Sequence, residues 1–245
     1  MKRLLIICIS MATLGCQDTN KTQTYQMKDI KFQLNNKTYY DINNSKPVTG
    51  IVKNYHKKSK KLILEVTLKN GKIEGTEHDY YSTGKLLRTI EYTHGLKNGL
   101  EIEYYQNGQI KSKKKYKDGI QIDEQIGYYP TGELKYKTPL KNGKVNGTGI
   151  IYYKSGQIKY TLPQKNGMFE GIKKGYYPSG QLAVETPYRK GRVEGLRKSF
   201  YDNGNIKEEA YFKEDKLNGQ AKTFDRNGSI IEEKTYKNGK ITFVR

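Results

Sequence analysis

Paired aromatic residues recur along this chain every 24 residues: Tyr80-Tyr81, Tyr104-Tyr105, Tyr128-Tyr129, Tyr152-Tyr153, Tyr176-Tyr177, Phe200-Tyr201, then Phe224-Asp225. Three residues past each pair stands a glycine, from Gly84 to Gly228, and two further on an Ile or Leu, from Leu86 to Ile230. The second half of the unit keeps the same register, with Gly71, Gly95, Gly119, Gly143, Gly167, Gly191 and Gly239 in line and Asp215 at the one gap. Near-identical segments at a fixed period must take the same local structure and stack on their neighbours, so the chain is read as a repeat array.

The unit itself reads as a hairpin. In "LEIEYYQNGQIKSKKKYKDG", Leu100, Ile102 and Tyr104 alternate with Glu101, Glu103 and Tyr105, which puts one apolar face at period two. Gln106-Asn107-Gly108 is a turn whose glycine sits where positive φ is expected. A second strand follows from about Gln109 to Tyr116, and the Gly119 region turns the chain into the next unit. The predicted fold is all-β: an elongated antiparallel meander of repeated hairpins, about seven units plus an N-terminal cap. Fourteen strands at about 4.8 Å would extend roughly 65 Å. The array is assigned to residues 47–245 and a capping hairpin to residues 29–46, where Ile30, Phe32 and Leu34 alternate on one side of Asn35-Asn36, and Thr38, Tyr40 and Ile42 on the other. A weaker unit follows the cap: Gly50 and Tyr55 stand 25 residues before Gly75 and Tyr80, so one residue is displaced between them.

Composition agrees with a shallow β-protein. Apolar residues make up 34%, Trp is absent, and Tyr (22) far outnumbers Phe (6). Tyr suits pleated surfaces and Gly suits tight turns. The formal charge of +20 admits an acidic partner. Nearly all of it is Lys, however, and the forked guanidinium that reads phosphate is scarce, which argues against nucleic acid.

The opening residues, "MKRLLIICISMATLGCQDTN", place Lys2 and Arg3 before an apolar run from Leu4 to Leu14. That run is too short for a permanent membrane span and reads as an export signal over residues 1–15. Thr13-Leu14-Gly15-Cys16 resembles the lipobox of bacterial lipoproteins, with Thr13 departing from the Leu usual there. The resemblance implies that Cys16 becomes the acylated first residue of the mature protein. Cys8 would leave with the signal, so Cys16 has no partner for a disulfide. Residues 16–28 are then acylated Cys and flexible tether. The expected address is the cell envelope, the outer membrane favoured, with the array periplasmic or surface-facing. Removal of residues 1–15 leaves 43 basic against 25 acidic residues, or +18.

The "YY-x-x-G-x-[IL]" and "Y-K-N-G-K-x-x-G" blocks over about residues 47–243 resemble the bacterial MORN-repeat variants, a family often labelled YwqK-type antitoxins. The resemblance implies a hairpin array and, through that label, an immunity or antitoxin role that neutralises a toxin.

Catalytic and metal chemistry find little footing. His56, His78 and His94 are the only histidines; His78 and His94 fall on opposite strands of one hairpin, without a Cys or carboxylate at ligand spacing. The glycines are turn residues rather than a phosphate loop. No enzyme, metal or cofactor is expected. Alternation puts one aromatic of each pair in the shared core and the other outward, so Tyr81, Tyr105, Tyr129, Tyr153, Tyr177 and Tyr201 are the candidate contact row. Lys113, Lys114 and Lys115 are a second candidate, because the next two units have Lys137-Thr138-Pro139 and Thr161-Leu162-Pro163 at those positions. The function expected from sequence is a membrane-anchored, non-enzymatic scaffold that binds a protein partner. The alternatives are the antitoxin role and binding of anionic lipid or polysaccharide.

Overall fold

In the computed structural model, which describes residues 22–245, strands follow one another in chain order from Gly50–Tyr55 to Lys240–Val244. The long strands pair antiparallel in succession, as Gly75–Tyr80 with Leu86–Thr93 and Leu86–Thr93 with Leu96–Tyr104. The expected all-β meander of hairpins is borne out. Its turns follow from glycine: Gly84, Gly108, Gly132, Gly156, Gly180, Gly204 and Gly228 all have φ between +86° and +100°, a region closed to most side chains.

A register shift recurs just before each aromatic pair. Tyr80 faces Leu86 while Asp79 faces Arg88, so Leu87 is left over; the same step stands at Tyr104, Tyr128, Tyr152, Tyr176, Phe200 and Phe224. Such bulges bend and twist a strand. A second irregularity depends on the unit. The amides of Asn146, Glu170 and Glu194 donate to the carbonyls of Pro139, Pro163 and Pro187, and there the strand breaks into a two-residue piece and a longer one. Proline has no N–H to return to the ladder. Where Glu91, Lys115 or Tyr211 takes that place, the strand runs whole, as in Leu96–Tyr104, Ile120–Tyr128 and Lys216–Phe224. Glu74 donates in the same way to Thr67, so proline is not the sole route to the break.

The 25-residue spacing of the first unit comes from its turn. His56 donates to Lys61 across six residues, where Tyr81 donates to Lys85 across five. The extra residue lies in that turn and leaves the flanking strands in register.

The capping hairpin is present as Ile30–Gln33 paired with Thr38–Asp41. The amide of Tyr39 donates to Gly71 and that of Val48 to Tyr39, which ties the hairpin to the array. Val48, Val52, Val66 and Leu68 form a buried cluster beneath it, with Tyr25, Met27, Ile30, Tyr39 and Ile73 packed around. Here the flexible tether assigned to residues 16–28 needs correction. Thr24–Gln26 forms a strand parallel to Gly50–Tyr55, and Met27–Asp29 a 3₁₀ turn. Tyr25 and Met27 supply apolar surface that a polar reading of the segment undervalued. The signal, Cys16 and the first part of the tether lie outside the described residues.

Candidate binding surface

Cross-strand register sorts the array into two faces. One, called here the inner face, carries Val52, Val66, Leu68, Ile90, Glu101 and Ser112, the strand residues most deeply buried. The other carries Ile102, Lys113, Ile126 and Lys137, all half-buried. This reverses the reading of "LEIEYY". Leu100, on the expected core face, is 41% exposed, whereas Glu101 is 2% exposed. Alternation fixes which residues share a face and leaves open which face the neighbours cover.

Glu101 stays charged because two ammonium groups meet it, Lys97 at 2.5 Å and Lys114 at 2.8 Å. Burial alone would raise its pKa, but the Lys114 and Lys97 hydrogen bonds and charges hold it below the usual carboxylate range. The same contact keeps Lys114 above the ordinary lysine value against burial that would lower it. Nearby, Arg88 binds Asp79 at 2.5 Å. Glu77 is pushed up by burial and by Asp79. The hydroxyl of Tyr92 is pushed up by burial and by Glu77.

The lysine run therefore divides. Lys114 points inward to Glu101, Lys113 lies 6.0 Å from the Tyr128 ring centre on the other face, and Lys115 is 3.4 Å from Asp123. Lys114 is committed to the scaffold, and Lys113 and Lys115 remain accessible to a partner.

The tyrosine row is placed differently from the expectation. Strands end at the first aromatic of each pair, and the second opens the turn: Tyr105 donates its amide to Gln109. Its side chain does not project outward. The Tyr81 hydroxyl donates to the carbonyl of Tyr104 at 2.8 Å, and Tyr105, Tyr129, Tyr153, Tyr177 and Tyr201 do likewise to Tyr128, Tyr152, Tyr176, Phe200 and Phe224. Each ring is half-buried. Lys135, Lys159 and Lys207 lie 5.6, 5.3 and 5.9 Å from the rings of Tyr129, Tyr153 and Tyr201. The row staples each unit to the next, and only the ring surface is left for contact.

The opposite edge is stapled too. The amides of Gly95, Gly119, Gly143, Gly167, Gly191 and Gly239 donate to carbonyls 22 residues back. Glu74, Glu170 and Glu194 accept the amides of His94, Lys190 and Glu214, residues whose positive φ closes the next turn. His78 faces Thr89 in the ladder, and His94 stands in the turn beyond, so the register does not pair the two histidines.

On the outer face, register reveals two rows that single-unit reading missed. Lys174 pairs with Glu185, Lys198 with Glu209 and Lys222 with Glu233, a ladder whose charges cancel internally. Two residues along the strands, Pro163, Ile172, Pro187, Leu196 and Tyr211 form an apolar row. Ile172 is 49% and Tyr211 48% exposed. The signal was available in the 24-residue spacing of Pro139, Pro163 and Pro187.

Hairpins stapled along both edges, with side chains free to vary on the faces, define a repeat scaffold. Residues 97–118, 124–142, 145–166, 169–190, 193–214 and 217–238 match the MORN repeat variant, together more than half of the chain, which therefore belongs to that family. No curated protein matches the chain.

Proposed function

We propose that this chain is a membrane-anchored scaffold that binds a protein partner at the cell envelope through its outer face. The observation that carries the reading is the row Pro163, Ile172, Pro187, Leu196 and Tyr211, with its exposed Ile172 and Tyr211. Exposed apolar and aromatic surface in a line is a feature of protein interfaces. The adjoining Lys/Glu ladder cancels its own charge, so it sets register on a partner more than the sign of one. The anchor rests on the lipobox-like Thr13-Leu14-Gly15-Cys16. Acyl chains hold a protein by about 0.8 kcal/mol per buried CH₂, so several suffice without a spanning helix.

Two measurements test the two halves separately. Wild-type chain should capture a stoichiometric partner from envelope extracts, and Ile172→Asp with Tyr211→Ala should lose it while remaining folded. Retention of the partner by that variant would reject this face. Cys16→Ala should move the protein from the membrane to the soluble fraction, and persistent membrane partition would reject the anchor.

A further inference from the structure

Charge is distributed unequally between the two edges of the array. In an antiparallel meander, turns alternate between edges. The eight turns of the edge that carries the aromatic pairs (56–61, 81–85, 105–109, 129–133, 153–157, 177–181, 201–205 and 225–229) hold seven basic and three acidic residues, four of the basic ones in the first turn. The eight turns of the opposite edge (69–72, 93–96, 117–120, 141–144, 165–168, 189–192, 213–216 and 237–240) hold thirteen basic and three acidic ones. Half of the chain's net charge thus lies along one edge.

Register concentrates that charge further. Lys141 faces Lys144, Arg189 faces Arg192, Lys213 faces Lys216 and Lys237 faces Lys240 across their hairpin ends. Like charges directly opposite cost stability, and an anion seated on them relieves that cost. The acids nearby are held without cancelling this excess: Glu170 and Glu194 accept the amides of Lys190 and Glu214, and Glu214 approaches Arg192 at 3.7 Å, so four cations face two carboxylates around the turn at 189–192. Among the described residues, Arg189 and Lys190 have no ion-pair partner.

Between successive turns of this edge lie clefts. One of about 420 Å³ is lined by Arg189, Lys190, Arg192, Glu194, Lys213 and Glu214. Another of about 490 Å³ is lined by Lys141, Asn142, Lys144, Asn146 and Asn166. Asn side chains beside cations offer both donors and acceptors, which suits hydroxyl groups next to an anion.

Equivalent turns are two strand spacings apart, about 10 Å. Phosphates on one strand of a duplex nucleic acid recur every ~3.4 Å, a poor match to that period. An extended glycan with one acidic group per disaccharide repeats over about the distance between turns. We propose that the edge formed by turns 141–144, 165–168, 189–192, 213–216 and 237–240 binds a linear acidic polysaccharide lying across the strands. Each turn takes one acidic group and the clefts take the intervening sugars. This site is on an edge rather than a face, so it stands or falls separately from the protein-binding surface.

The test uses the full chain in detergent, with hyaluronan oligosaccharides (one carboxylate per disaccharide) as probe. Wild type should bind with affinity that falls as salt rises. R189Q/R192Q should weaken binding by about tenfold, from loss of two charge-assisted contacts. K85Q/K154Q, which removes the same charge from the opposite edge, should change it less than twofold, and R189K/R192K should recover part of it, since the charge is kept and the guanidinium fork is lost. Equal weakening by the two Gln pairs would reduce the effect to net charge and overturn the site. Equal or tighter binding of single-stranded poly(dT) or phosphatidylglycerol vesicles through the same arginines would overturn the assignment to polysaccharide. Absence of hyaluronan binding would overturn both.

Discussion

At Glu101 a carboxylate that is 2% exposed is kept ionised by Lys97 and Lys114. Its folded pKa lies below the ordinary carboxylate value. The contact therefore contributes stability that is fully present above that ordinary value and is lost as pH falls through the depressed one. Lys114, with a raised pKa, keeps its share below the ordinary lysine value and loses it as pH climbs past the folded one. Glu101→Gln should cost about 1.5–3 kcal/mol at neutral pH, because two lysines lose a charged acceptor. The same variant should flatten the acid limb of a stability-versus-pH curve measured by urea titration. An unchanged limb would assign acid sensitivity elsewhere. Tyr153→Phe isolates the other recurring contact, since it removes only the hydroxyl that reaches the Tyr176 carbonyl at 2.7 Å. A loss of about 0.5–1.5 kcal/mol in denaturant unfolding is expected.

At the scale of the element, the turn glycines separate conformational cost from crowding. Gly156 has φ +90° and nothing within 4 Å of where a Cβ would stand. Gly156→Val should therefore destabilise by backbone strain alone, about 1–3 kcal/mol, and broaden the thermal transition; Gly156→Asn should cost less, since Asn tolerates this region. Gly175 shows the converse: its φ is ordinary, but a Cβ would lie 2.8 Å from Val184 and 3.0 Å from Tyr160. Gly175→Ala should destabilise through packing, with no relief from Asn. These turns were legible in the sequence because a glycine at fixed distance from an aromatic pair has a local reason. The burial of Glu101 and the inward reach of Tyr105 were not. Both depend on atoms distant in sequence: Lys114 across the hairpin on the following strand, and a carbonyl 23 residues ahead. The proline-split strands were likewise hidden until the fold brought the carbonyls of Pro139, Pro163 and Pro187 to the amides of Asn146, Glu170 and Glu194 on the following strands.

At the scale of the whole molecule, the fully buried apolar cluster sits at the N-terminal end, under the capping hairpin. Beyond it, units hold one another mainly by ladder hydrogen bonds, tyrosine staples and amide staples repeated at a fixed offset. In such an array stability is close to a sum of unit and neighbour terms, so whole units should be removable. Deleting residues 158–181 joins Gln157 to Leu182 and offers Gly147–Tyr152 the partner strand Leu182–Arg189 in place of Ile158–Lys165. The Tyr153 hydroxyl would then meet Phe200 as Tyr177 does now. Deleting one residue fewer, 159–181, leaves Ile158 ahead of Leu182 and lengthens that turn by one. The turn at 56–61 already carries one such residue with its strands in register, so this deletion should also fold, at some cost in stability. A deletion of 158–169 is different, because it removes a strand and reverses the direction of all that follows. The 24-residue deletion should retain the β-sheet circular dichroism and a single cooperative melt, whereas the 12-residue deletion should be cleaved rapidly in limited proteolysis. If both deletions unfold alike, stability is not shared between neighbours, and the array folds instead as one indivisible sheet built outward from its N-terminal cluster.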